Sequence, residues 1–88
     1  MSRHLVPALP GLEIVVGWDP PMQSFYAQVW DRRVDPDDPA AELAWVGCSP
    51  REIQEPERVV EIVGHWASRI PDGMVPALAE DKKENRRG

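Results

Sequence analysis

The sequence predicts an α+β domain: a three-stranded antiparallel meander with one main amphipathic helix packed on one face and a short C-terminal helical turn. Residues 12–18 and 24–31 each repeat apolar side chains at every second position, the period of two that a strand requires. Residues 55–70 place Val59, Val63, Trp66 and Ile70 at spacings of 4, 3 and 4, one face of a helix. Strands come first and the helix afterwards, which separates this class from an alternating α/β fold.

Residues 1–11 read as an extended arm ending at Gly11, because Pro7 and Pro10 fix their own φ and disfavour helix in the residues before them. Such an arm is free to pair at a sheet edge or to stay mobile. In the first strand Leu12, Ile14, Val16 and Trp18 alternate with Glu13, Val15 and Gly17. Asp19-Pro20-Pro21-Met22-Gln23 breaks the pattern, since two prolines cannot donate to a ladder. The second strand sets Phe25, Ala27 and Val29 on one face and Tyr26, Gln28 and Trp30 on the other. A connection of five residues is too short for a parallel crossover, so the pair forms a hairpin. Residues 32–41, with Pro36 and Pro39 among aspartates, predict an exposed acidic loop. Residues 42–48, Glu-Leu-Ala-Trp-Val-Gly-Cys, predict a short third strand beside the second.

Ser49-Pro50-Arg51-Glu52 has the form of a capping box with proline at the first helical position. Pro56 would be interior to a helix begun there, so a single turn over 50–53 is expected, then the main helix from Glu55 or Pro56 to Ile70. Val60, Ile62 and Ala67 widen its apolar stripe, and Glu57, Arg58, Glu61, His65, Ser68 and Arg69 cover the other side. Gly64 is its weak point, worth about 1 kcal/mol against alanine. Pro71-Asp72-Gly73 stops it. Residues 75–79 allow one more docked turn, and residues 80–88, without an apolar side chain, predict a fraying charged tail. The folded unit is thus expected over 12–79, between an arm at 1–11 and a tail at 80–88.

Of the 88 residues about seventy are expected to fold, and a domain of that size buries only about 60% of the surface its unfolded chain exposes, so self-association or a partner would add useful support. One cysteine, Cys48, excludes an intrachain disulfide and a Cys-rich zinc framework and fits a reducing compartment. No apolar run matches a signal-peptide core or approaches the roughly twenty residues of a membrane span, so a soluble cytoplasmic protein is expected. A net charge of −5 argues against direct binding of nucleic acid or anionic membrane and for a protein partner with a basic or mixed-charge surface. The excess lies in residues 12–48, where seven acids face two arginines.

The inventory for catalysis is thin. A thiol pair between Cys48 and His65 would need the helix folded back over the sheet; the ordinary reading is a buried cysteine and a solvated histidine. Glu61 and His65 stand four residues apart, a spacing metal sites use, but two ligands do not hold a metal. GxGxxG, phosphate-loop, HExxH and GxSxG patterns are missing. No catalytic residue, cofactor or metal site is expected, and no enzymatic activity.

Two features point instead to a partner. Four tryptophans in 88 residues is dense, and a single helix covers one sheet face, leaving Tyr26, Gln28 and Trp30 on an uncovered one unless the arm, the C-terminal turn or the acidic loop folds over it. Aromatic patches rimmed by charge mark protein interfaces. Beside them Asp31, Asp35, Asp37, Asp38 and Glu42 form an acidic cluster that either imitates a phosphate backbone or simply keeps the domain soluble. These eight residues are the expected partner-binding set.

Residues 14–21, Ile-Val-Val-Gly-Trp-Asp-Pro-Pro, followed by 24–31, Ser-Phe-Tyr-Ala-Gln-Val-Trp-Asp, and then Trp45-Val46-Gly47, resemble small uncharacterised acidic proteins of bacterial plasmids, phages and mobile elements. The resemblance covers about the first half of the chain and implies a context without an activity or a functional residue. Such proteins are often inhibitors or modulators of host machinery, anti-CRISPR and anti-restriction proteins among them. The expected function is therefore a non-enzymatic protein-interaction module, of the type that inhibits or modulates a host nucleic-acid-handling complex. The alternatives are an accessory subunit or homodimeric structural protein completed through its sheet, and a thiol-dependent enzyme using Cys48 and His65.

Overall fold

The computed structural model describes residues 2–85. Its strands are β1 (His4–Val6), β2 (Leu12–Asp19), β3 (Ser24–Asp31) and β4 (Glu42–Val46), followed by helices α1 (Pro56–Val63) and α2 (Met74–Asn85). The strands form one antiparallel sheet in the order β1-β2-β3-β4. The α+β class is as the sequence predicts, but there are four strands in place of three and a second full helix.

The hairpin of β2 and β3 is the centre of the domain, paired over its whole length from Leu12 opposite Asp31 to Asp19 opposite Ser24. Ile14, Val16 and Trp18 of β2 share one face with Phe25, Ala27 and Val29 of β3, and Val59, Val63, Met74 and Leu78 pack against that face from the helices. Opposed in register, the Trp18 and Phe25 rings meet edge to face at 4.9 Å. Burying a side chain of this size contributes roughly 1.5–3 kcal/mol, so the two helices are held mainly by this one apolar face.

The arm is a strand. β1 pairs with β2 through His4 to Val6, and Val6 enters the core. Its continuation zips to the chain beyond α1: Leu9 N–H donates to the Trp66 carbonyl at 2.9 Å, Ser68 N–H donates to the Pro7 carbonyl at 3.0 Å, and Ala8 bridges Ala67. This is why α1 stops at Val63, short of Ile70. Helix formation weakens at Gly64, and the next residues gain backbone partners on the arm that a helix would deny them. Trp66 and Ile70 still pack against the core. Likewise β4 ends at Val46 and not at Cys48, because Gly47 turns the chain with a φ of 86°.

The 49–52 segment forms a turn in which half of the expected capping box is realised. The Glu52 carboxylate accepts from the N–H of Ser49 at 3.2 Å and of Gly47 at 3.0 Å.

The second helix is the largest departure. In place of a docked turn and a fraying tail, α2 runs to Asn85. Met74 and Leu78 are buried, and the following turn is held by polar contacts: Asp81 pairs with His4 at 2.5 Å, and Lys82 Nζ donates to the Gln54 carbonyl at 2.9 Å. The same ammonium lies 5.6 Å from the Trp18 ring centroid. Hydrophobic periodicity is blind to such anchors. Residues 86–88 of the expected tail lie outside the described residues. Among the described residues no helix is long and apolar enough to cross a membrane.

Candidate functional site

Both helices lie on one side of the sheet, so neither covers the opposite face, although Val15 and Tyr26 at its centre are buried. Register places Leu5, Val15, Gln28 and Trp45 in one row across all four strands. Gly17 and Tyr26 stand opposite each other on one side of that row, and Glu13, Trp30 and Glu42 on the other. Leu5 and Trp45, at the two edges, are 63% and 53% exposed.

Two hollows are sunk into this face. One, of about 380 Å³, is lined by Glu13, Trp30, Asp31 and Arg32, with Val34 and Pro36 of the acidic loop closing a side. The other, of about 340 Å³, is lined by Asp19, Met22, Tyr26, Trp45, Gly47 and Cys48. Arg3 and Gln28 line both and form the ridge between them.

Of the expected aromatic pair only Trp30 is partly open. Tyr26 is 7% exposed, because the chain at Ser2 crosses over Gly17 and the Tyr26 hydroxyl donates to the Ser2 carbonyl at 2.6 Å. Ser2 N–H donates to the Trp18 carbonyl, and Ser2 Oγ accepts from the Trp18 N–H, which fixes the crossing. Only glycine permits it: a Cβ on Gly17 would overlap the Ser2 carbonyl and come within 2.8 Å of Tyr26 Cε1. The exposed aromatic of this face is Trp45.

Burial pushes the Tyr26 phenol above its ordinary pKa, with Arg3 opposing and Asp19 and Asp81 adding to the rise. The stability this group contributes is therefore complete below about pH 10 and is lost as pH rises through the folded-state value, because only the neutral phenol donates to Ser2. Tyr26→Phe is expected to cost about 0.5–1.5 kcal/mol at pH 7 and to flatten the alkaline limb of a urea-denaturation stability profile. An unchanged alkaline limb would contradict this.

The acidic cluster divides in two. Asp31 is occupied by Arg33, which donates from its backbone N–H at 2.9 Å and from Nε and Nη2 at 3.0 and 3.1 Å. Those side-chain bonds, with the backbone bond and the nearby charge, hold the Asp31 carboxyl below its ordinary pKa. Glu13 is similarly taken, by Arg32 Nε at 2.6 Å and by Arg3 at 3.8 Å. Asp35 and Asp38 accept from the N–H of Asp37 and Ala40 and so shape their own loop. Asp35, Asp37, Asp38 and Glu42 are exposed, and among the described residues none forms an ion pair.

The remaining candidates are not brought together. Cys48 is exposed on the second hollow, where the sequence suggested a buried thiol. Desolvation, then Glu52 and Glu42, raise its pKa, the opposite of an activated nucleophile. His65 follows α1 in the helix layer, its ring edge-on to Trp66 at 5.9 Å, and Glu61 accepts from Arg58 at 2.6 Å. Among the described residues no cluster of His, Cys, Asp or Glu is placed to hold a metal ion.

The sequence reading passed over Arg3, Leu5, Glu13 and Trp45. The signal for the last three is parity: each falls on the Gln28 and Trp30 side once the antiparallel registers are drawn, and Arg3 joins them by lining both hollows. No protein-family model matches this chain, and searches of curated proteins and of solved structures return no match either.

Proposed function

We propose that this chain is a non-enzymatic protein-interaction module whose partner docks on the open face of the sheet. The observation that carries the reading is the pair of adjoining hollows beside an exposed tryptophan. Concave sites next to an aromatic anchor are where binding energy concentrates. The Asp35, Asp37, Asp38 and Glu42 carboxylates, without cation partners among the described residues, favour a partner with a basic or mixed-charge surface.

In its finer form the proposal is an inhibitor or modulator of a cytoplasmic nucleic-acid-handling complex, of the anti-CRISPR or anti-restriction type, with the loop carboxylates standing in for phosphates. A homodimer built through the β4 edge has less support. The register shifts between Val29 and Trp30, and a bulge at that edge blunts strand pairing.

Affinity purification from the host supplies the partner, and titration calorimetry tests the site. Trp30→Ala and Trp45→Ala are each expected to weaken association by more than about 1 kcal/mol with the fold retained. Reversing Asp35, Asp37 and Asp38 to lysine is expected to abolish binding. A partner indifferent to both tryptophans removes this face from the argument, and one that tolerates the reversal removes phosphate mimicry.

A further inference from the structure

We propose that the second hollow receives a cationic side chain, a lysine or arginine of the docked protein, with the Asp19 carboxylate as its counter-ion. The inference rests on the open face being a protein-docking surface and adds the chemistry that the hollow selects.

Asp19 closes β2 and lines the hollow with Tyr26, Gln28, Trp45 and Gly47. Its Oδ1 is buried, and among the described residues nothing donates to it. A buried carboxylate oxygen without a donor is rare and unfavourable, and it is relieved by an incoming N–H, best by a charged one. The walls suit a cation. Trp45 presents an exposed indole, whose face attracts ammonium and guanidinium groups, and Gln28 offers an amide oxygen. The Tyr26 hydroxyl already donates its hydrogen bond to the Ser2 carbonyl, which leaves its oxygen as an acceptor.

Arg3 is the cation at the rim. It reaches 3.8 Å from Glu13, which belongs to the other hollow, and its side chain is 64% exposed. Arg3 therefore competes weakly with an incoming cation and does not occupy the carboxylate: among the described residues no ion pair of Asp19 occurs. The overall charge of −5 adds a long-range attraction of the same sign.

The test is an NMR titration of the isotopically labelled full chain with N-acetyl-arginine methylamide and its lysine counterpart, with the neutral citrulline analogue as control. Saturable shifts are expected at Asp19, Gly47 and the Trp45 indole, with citrulline about tenfold weaker or more. Asp19→Asn is expected to reduce cation affinity about tenfold, and Arg3→Gln to raise it about twofold. Should Asp19→Asn fail to fold, Trp45→Ala, at an exposed position, carries the same expectation of lost cation shifts. Shifts confined to residues 35–38, equal binding of citrulline, or cation binding unchanged in both variants overturns the proposal. A protein partner whose binding depends on Trp30 but not on Asp19 overturns it too, while leaving the docking face intact.

Discussion

Gly47→Ala is expected to lower the melting temperature by about 12–24 °C, the shift that a loss of about 3 kcal/mol produces in a domain of this size. Two costs add. Gly47 holds a φ of 86°, where a side chain costs about 1–2 kcal/mol. A Cβ there would also overlap the Phe25 carbonyl oxygen and sit 2.6 Å from Tyr26 Cα. Both atoms are backbone of the central strand and cannot rotate aside, so relief requires β3 and β4 to part, at about 1–3 kcal/mol of strain. The same displacement would open the floor of the second hollow, so cation binding should fall with stability. Gly73→Ala is the control, since a Cβ at Gly73 meets nothing within 4 Å. A Gly47→Ala melt within 3 °C of the parent, followed by circular dichroism, would contradict the argument; the 3 °C criterion is roughly the shift from half a kcal/mol.

Leu78→Ala is expected to destabilise the domain by about 2–5 kcal/mol, the range for truncating a buried leucine. Leu78 is fully buried between α2 and the sheet, and the two polar anchors of the helix, Asp81 on His4 and Lys82 on Gln54, follow within a turn. Losing the apolar anchor should release both. Hydrogen exchange would show this as lost protection over residues 78–84, and urea denaturation gives the free energy. If residues 80–88 were the frayed tail that their hydropathy predicts, residues 80–84 would have no protection to lose and the change would stay within the docked turn. The two outcomes are well separated.

What was legible in the sequence is local. Residues 12–18 and 24–31 carry an alternation that permits one strand register, since a slip of one residue would move Ile14, Val16, Phe25 and Val29 from core to solvent. The helix start at Pro56, the turn at the paired prolines and the exposed acidic loop follow from equally local chemistry. The same alternation correctly put Gln28 and Trp30 on the face away from the helices.

What the sequence left open depends on partners distant along the chain. Whether the arm pairs was decided by the free edge of β2 and by Trp66 and Ser68, some sixty residues away, as the bonds from Leu9 and to Pro7 show. Whether α1 reached Ile70 was decided by the same bonds. The charged end of α2 became helix because Asp81 and Lys82 found His4 and Gln54, contacts that no periodicity encodes. The burial of Tyr26 under Ser2 and the division of the carboxylates between Arg-paired and unpaired are likewise tertiary. Composition and periodicity determined that this chain makes an acidic α+β domain with one sheet face turned away from the helices. Only the fold decided which side chains stand open there, because exposure and charge pairing depend on neighbours brought together in space.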